Sequence, residues 1–99
     1  MTQGTTTLHI IHLPFATDVI DKIEVAYEQN KKILLVKKRE DITFGEKSIG
    51  IRLSQEETLL FDHGALVRVQ IHLVTTGGDA LASKPMKVPV YILLDKKVL

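Results

Sequence analysis

The sequence predicts one all-β domain over residues 1–99, an immunoglobulin-like antiparallel β-sandwich of about seven strands with one short helical crossover near residues 54–61. Three observations lead to this prediction. Apolar and polar residues alternate in most segments, turn residues recur at short intervals, and a capping motif marks one helical segment. Ninety-nine residues suit a single hydrophobic core. The cysteine and tryptophan of antibody domains are absent, so only the architecture is predicted, with a small barrel of the same strands as the alternative.

The first half of the chain contains three predicted strands. Residues 7–13 form the first. Residues 22–28 alternate cleanly, so that one set of side chains faces a core and the other faces water. Residues 29–32 are polar and predict a hairpin turn, because Asn30 tolerates the left-handed backbone that such turns require. Residues 33–36 then return as a strand that is apolar on both faces.

The second half of the chain contains three more. Residues 48–53 alternate, and residues 67–73 give the strongest strand signal, because four branched apolar residues alternate with Arg, Gln and His. A Gly-Gly-Asp turn follows at residues 77–79. Pro85 and Pro89 cannot donate ladder hydrogen bonds, so the strand that begins near residue 86 is predicted to lie at an edge or a bulge. This edge and the N-terminal segment are candidates for accepting a partner strand.

One segment departs from the period of two. Ser54 and Glu57 have the spacing of a capping box, and Glu56 and Glu57 suit the positive end of a short helix dipole. The three apolar residues that follow, 59–61, give the helical turn something to bury. We therefore predict a short helical crossover between two strands.

Composition excludes several function classes. The net charge of +1 gives no general attraction to nucleic acid or to an anionic membrane. The chain has no cysteine, so disulfides and thiolate metal sites are excluded. No apolar run approaches the ~18 residues that span a bilayer. The first residues lack the basic and apolar regions of a signal peptide, which predicts cytoplasmic synthesis, with incorporation into a virion still open. We expect no nucleic-acid partner, no membrane and no cofactor.

No catalytic or metal-ligating residues are predicted. His9 and His12 are three apart on a strand and project to opposite faces, so they cannot easily chelate one ion. A metal site would need His63 to meet another histidine in the tertiary structure. The nucleophile turn Gly-x-Ser-x-Gly is missing, and Ser54 is better explained as a helix cap. These residues predict a protein that is not an enzyme and for which a small-molecule ligand is not expected.

The most visible charge feature is a basic cluster, which is the one predicted partner-binding site. It consists of Lys31, Lys32, Lys37, Lys38 and Arg39. The cluster could contact phosphate or an acidic patch on a protein partner. The alternative is that these lysines protect a strand edge and keep the domain soluble, because acidic residues close in sequence dilute the field.

Three stretches of the chain carry a family resemblance. They are residues 13–18 followed by 20–23, residues 53–61, and residues 69–73 with 78–83. In these stretches the chain resembles short β-proteins encoded in phages, prophages and related mobile elements of Firmicutes-type bacteria. The Gln-Glu-Glu-Thr-Leu-x-Phe and Gly-Asp-x-Leu-Ala-Ser elements are the most specific parts. The resemblance implies a setting among virion structural genes and brings no catalytic residues.

Two function hypotheses follow. The first is a non-enzymatic structural or assembly module associated with a phage or prophage virion. The second is an adaptor or regulatory protein that binds a partner through a strand edge or the basic cluster. Both hypotheses expect a protein partner or self-association.

Overall fold

Eight strands form two antiparallel sheets in the computed structural model, which describes residues 1–95 and 98–99. The strands are β1 (Thr7–His12), β2 (Ile20–Gln29), β3 (Lys32–Lys38), β4 (Ile42–Phe44), β5 (Ser48–Leu53), β6 (Val67–Thr75), β7 (Ala80–Ala82) and β8 (Met86–Val88). One short helix, α1 (Gln55–Thr58), joins β5 to β6, and two 3-10 turns cover Thr17–Val19 and Arg39–Asp41. The predicted all-β sandwich with a helical crossover is confirmed.

The two sheets have simple strand orders. Sheet one has the order β1-β5-β4. Sheet two has the order β3-β2-β6, and the far side of β6 is shared by β7 and β8 in succession. The eight strands exceed the predicted count of about seven. β4 and β7 are absent from the six segments identified in the sequence, because each has three residues, too few to show alternation.

The β2–β3 hairpin has the turn that the sequence predicts. Gln29 pairs with Lys32, so Asn30 and Lys31 alone form the loop. Their φ angles are 53° and 65°, and positive φ at both central positions is the signature of a type I′ turn. Asn adopts this backbone readily, whereas Lys31 does so at a steric cost.

The core lies between the inner faces of the two sheets. It is built from alternate residues, as the period-2 pattern requires. The buried apolar side chains are Ile20, Ile23, Val25, Tyr27, Ile42, Ile49, Ile51, Leu53, Phe61, Val67, Val69, Ile71, Leu73 and Val90. Phe61 comes from the crossover, and its ring centroid lies 6.0 Å from that of Tyr27. The crossover therefore contributes to the core as well as connecting the sheets.

Two polar motifs fix the crossover. Ser54 Oγ accepts a hydrogen bond from the Glu57 amide at 3.2 Å, and Glu57 Oε1 accepts one from the Ser54 amide at 2.9 Å. The predicted capping box is thus confirmed. Beyond the helix, the buried Gln29 side chain donates to the carbonyls of Asp62 and Ala65 at 2.7 and 3.1 Å and accepts from the Asp62 amide at 2.7 Å. The loop between α1 and β6 is thereby tied to the end of β2.

Candidate functional site

The basic cluster is spread along β3. Lys31 and Lys32 lie at the hairpin tip, and Lys37, Lys38 and Arg39 lie at the other end of the strand. At ~3.4 Å per residue, Lys32 and Lys37 are about 17 Å apart along the strand. The cluster therefore presents two separate basic sites, both on the edge strand of sheet two.

Two of the five basic side chains have structural partners. Lys37 Nζ lies 2.7 Å from Glu57 Oε2, which links β3 to the crossover. Burial raises the pKa of Glu57, but hydrogen bonds from Lys37 and Ser54 together outweigh this effect and hold the pKa below its ordinary value. Arg39 donates from Nη1 to the Ile20 carbonyl at 2.9 Å, and its guanidinium lies 4.9 Å from the Phe44 ring centroid. Lys31, Lys32 and Lys38 remain exposed to solvent.

The histidines of β1 face opposite ways, as predicted. His12 is exposed on the outer face of sheet one. His9 points inward, stacks on Tyr27 with 5.7 Å between ring centroids, and places Nδ1 2.8 Å from the Tyr27 hydroxyl. Burial, with a contribution from the N-terminal ammonium group, lowers the pKa of His9. Burial, with a contribution from the Glu57 charge, raises the pKa of Tyr27. Both groups are therefore neutral near pH 7, and one hydrogen bond joins His9 Nδ1 to the Tyr27 hydroxyl, with its direction set by the histidine tautomer.

Among residues 1–95 and 98–99, no three His, Asp or Glu side chains are grouped so that they could hold a metal ion. In the same residues, no helix has the length and apolar character needed to cross a membrane.

Within the described part of the chain, three of the four sheet edges carry features that discourage strand pairing. β3 carries lysines at both ends, and β4 is only three residues long. The β7–β8 edge is interrupted at Ser83, whose hydroxyl accepts a hydrogen bond from the Ile71 amide at 2.9 Å. Pro85 and Pro89 flank β8, and proline cannot donate to a ladder. The prediction that this proline-bearing strand lies at an edge is confirmed.

The fourth edge, on β1, carries no lysine and is six residues long, and its nearest proline, Pro14, lies two residues beyond the strand. Residues 2–17 contain no Asp, Glu, Lys or Arg, and no proline lies within β1. β1 is the outermost strand of sheet one, and within the described residues no strand pairs with its outer side. An unpaired and uncharged edge of this kind is a template for another strand.

The phase of the β1 backbone identifies the residues that face outward. The Leu13 amide donates to the Lys47 carbonyl at 2.8 Å, which continues the β1–β5 pairing by one step. Because backbone groups alternate in direction along an antiparallel strand, His9 and Ile11 direct their amides and carbonyls toward β5. Leu8, Ile10 and His12 direct theirs away from it. We call the backbone and side chains of Leu8, Ile10 and His12 the β1 edge.

The side chains of the β1 edge lie on the outer face of sheet one. Leu8 and Ile10 are each 59% exposed. Ile10 pairs with Gly50 of β5, where a Cβ would lie 2.6 Å from the Thr43 hydroxyl oxygen and 3.6 Å from a Leu8 methyl carbon. Because glycine adds no side chain at this position, the outer face of the sheet stays flat beside Leu8 and Ile10. An approaching strand thus meets unpaired backbone groups and apolar side chains at the same place.

Two apolar grooves lie between the sheets on the same side as the β1 edge. The first, of about 260 Å³, separates β1 from β8 and is lined by Leu8, His9, Ile10, Ile11, Val69, Met86 and Val88. The second, of about 390 Å³, continues past the end of β1 and is lined mainly by Leu13, Phe15, Ile71, Leu73 and Leu81. The sequence predicts the N-terminal segment as a possible acceptor of a partner strand. It does not predict the grooves, because Phe15 and Leu81 come together only in the folded chain.

The fold and this site together define a class of protein, a small β-sandwich with one uncharged strand edge beside apolar grooves. No protein-family model, curated protein or solved structure matches the chain. The phage-family resemblance therefore stays a prediction from the residues that carry it.

Proposed function

We propose that the protein is a non-enzymatic structural or assembly module that binds protein partners by adding a strand to its β1 edge. The observation that carries this proposal is the outward-facing, uncharged backbone of Leu8, Ile10 and His12 beside exposed apolar side chains. Edges of this kind bind extended segments through main-chain hydrogen bonds, and pockets beside them receive alternate side chains. The two apolar grooves between the sheets lie where they would receive such side chains.

The chemistry-bearing side chains support a non-catalytic role. His9 is engaged with Tyr27 in the core, and Glu57 is engaged with Ser54 and Lys37 at the crossover. Each of these groups makes contacts within the sandwich, whereas a catalytic group would face a substrate cleft.

The setting that we propose is a phage or prophage virion, with synthesis in the cytoplasm and incorporation into the particle. Its support is the resemblance in residues 53–61 and 78–83. Both elements have scaffold roles here, because Ser54 caps the crossover and Gly78, with φ of 90°, lies in the β6–β7 turn.

The test compares two matched substitutions in cells that carry the phage or prophage encoding this protein. Ile10→Lys places a charge on the β1 edge. Ile33→Lys places the same charge on a side chain of similar exposure, 64%, on the β3 edge. We expect the wild-type chain and Ile33→Lys to co-sediment with purified particles and Ile10→Lys to be lost from them. A chain that is absent from particles, or equally retained with both substitutions, contradicts the proposal.

A second candidate is an adaptor that binds an acidic partner through the basic cluster. The observation in its favour is the exposure of Lys31, Lys32 and Lys38. Reversing the charge at Lys32 and Lys38 tests it, because neither side chain belongs to the Lys37–Glu57 pair. Under this candidate the double reversal abolishes co-sedimentation and Ile10→Lys leaves it intact, the opposite of the result expected above.

A further inference from the structure

We infer that the occupant of the β1 edge is the β1 edge of a second copy of this chain, paired antiparallel about a two-fold axis at Ile10. This inference rests on the proposed function and names the partner of the same site. It is argued from the hydrogen-bonding phase of β1, the absence of charge along it and the character of the neighbouring edges.

The backbone phase allows β1 to pair with itself. In an antiparallel ladder, two facing residues exchange both hydrogen bonds only when both direct their amides and carbonyls toward the partner. With the axis at Ile10, Ile10 faces Ile10 of the second copy, and Leu8 faces its His12. All three outward-facing residues are then used in every pair. This register employs the whole β1 edge and leaves the β1–β5 ladder unchanged.

The side chains are compatible with this register. Paired residues of an antiparallel ladder project to the same face, so the two Ile10 side chains meet on the outer face of the joined sheet. Both are 59% exposed in the single chain and would cover each other. Because no Asp, Glu, Lys or Arg occurs in residues 2–17, like charges do not oppose the approach of two identical strands. Charged side chains are one of the devices with which natural proteins prevent such pairing.

The neighbouring edges favour a closed dimer over an open fibre. Each copy uses its β1, and the other edge of sheet one is β4, which has only three residues. Sheet two presents β8 on the same side, where Pro85 and Pro89 oppose ladder formation. The joined sheet therefore ends after six strands, in the order β4-β5-β1 and its symmetric repeat.

The groove between β1 and β8 lies just inside the seam. A second copy seated on β1 would cover the mouth of this groove, adding apolar burial from Met86 and Val88 to the strand pairing. The strand itself is only about 20 Å long. An interface of this size falls at the small end of specific contacts, so we expect a weak dimer that dissociates at micromolar concentrations.

The first experiment measures self-association of the purified chain by analytical ultracentrifugation from roughly 1 μM to 1 mM, a range set by the expected affinity. We expect a monomer–dimer equilibrium in the wild type and in Ile33→Lys. In Ile10→Lys two ammonium groups would face each other across the axis, and we expect the Kd to rise ~10-fold or more. Urea unfolding of each variant checks that the monomer is folded.

The second experiment tests the register. The chain has no cysteine, so a single Ile10→Cys substitution introduces the sole thiol. Facing residues of a hydrogen-bonded pair have Cα atoms about 5.5 Å apart, within the range a disulfide spans. We expect oxidation to give a disulfide-linked dimer for Ile10→Cys. Leu8→Cys is the control, because its two copies would lie about 14 Å apart along the seam and fail to cross-link.

Three results overturn the inference. They are a wild type that stays monomeric over the whole concentration range, a dimer that is indifferent to Ile10→Lys, and cross-linking that is faster at Leu8→Cys than at Ile10→Cys. If the chain is monomeric while Ile10→Lys still removes it from particles, the inference fails and the proposed function stands. If neither readout responds to Ile10→Lys, both fail.

Discussion

Replacing Gln29 with methionine removes the hydrogen bonds that tie the crossover loop to β2 while keeping a side chain of similar length. The Gln29 side chain is 3% exposed and makes three hydrogen bonds to the backbone of Asp62 and Ala65, all between 2.7 and 3.1 Å. A typical intramolecular hydrogen bond contributes about 1 kcal/mol net, so the loss is about 3 kcal/mol. Apolar burial of the methionine offsets part of it, and we expect the free energy of unfolding to fall by about 2 kcal/mol.

The matched control is Gln70→Met. Gln70 lies on the exposed face of β6 and donates one hydrogen bond, to the Ser83 carbonyl at 2.8 Å. Because water can replace that partner, we expect a loss of less than about 1 kcal/mol. Urea unfolding followed by circular dichroism measures both variants at constant m-value. Equal losses for Gln29→Met and Gln70→Met would refute the conclusion that Gln29 anchors the loop.

Three further predictions concern other parts of the chain. The pKa of His9 is lowered from 6.5 by burial, so the folded state binds fewer protons than the unfolded state. The stability contributed by a neutral His9 is present above pH 6.5 and lost as pH falls below it. Urea midpoints at different pH values should show a dependence that His9→Gln removes and His12→Gln, at an exposed site, preserves. Ser54→Ala removes the helix cap and should cost about 1 kcal/mol, measured by urea unfolding; no loss would contradict the capping role. Lys31→Gly gives the type I′ turn its preferred Asn30–Gly pair, and the melting temperature should rise, because the positive φ at Lys31 is strained; a lower one would refute that strain.

The parts of the fold that could be predicted are those governed by local chemistry. The capping box at Ser54 and the turn at Asn30 depend on residues within four positions of each other, and both are confirmed. The inward set of β6 follows from strict alternation. β7 could not be predicted, because Ala80, Leu81 and Ala82 are all exposed and acquire their strand conformation only by pairing with β6.

The candidate site was only partly predictable. The lack of charge in residues 2–17 is visible in the sequence, and the N-terminal segment is predicted as a possible acceptor edge. Which residues of β1 face outward depends on the register with β5, a pairing between distant segments. The ion pair of Lys37 also depends on a contact between distant segments. In the sequence, Lys37 groups with its basic neighbours, whereas in the folded chain its partner is Glu57 on the crossover.

The pairing of β2 with β6 has a consequence for the speed of folding. This pairing joins Ile20 to Thr75 and Glu28 to Arg68, and β1 joins β5 across a similarly long stretch of chain. The entropy of closing such loops must be overcome before the contacts form, which slows folding of β-rich domains to milliseconds or seconds. The β2–β3 hairpin, closed by two residues, can form in ~1–10 μs. We expect this hairpin to form early during synthesis. The central sheet can assemble only after residues 67–75 have been synthesised, because β2 pairs with β6.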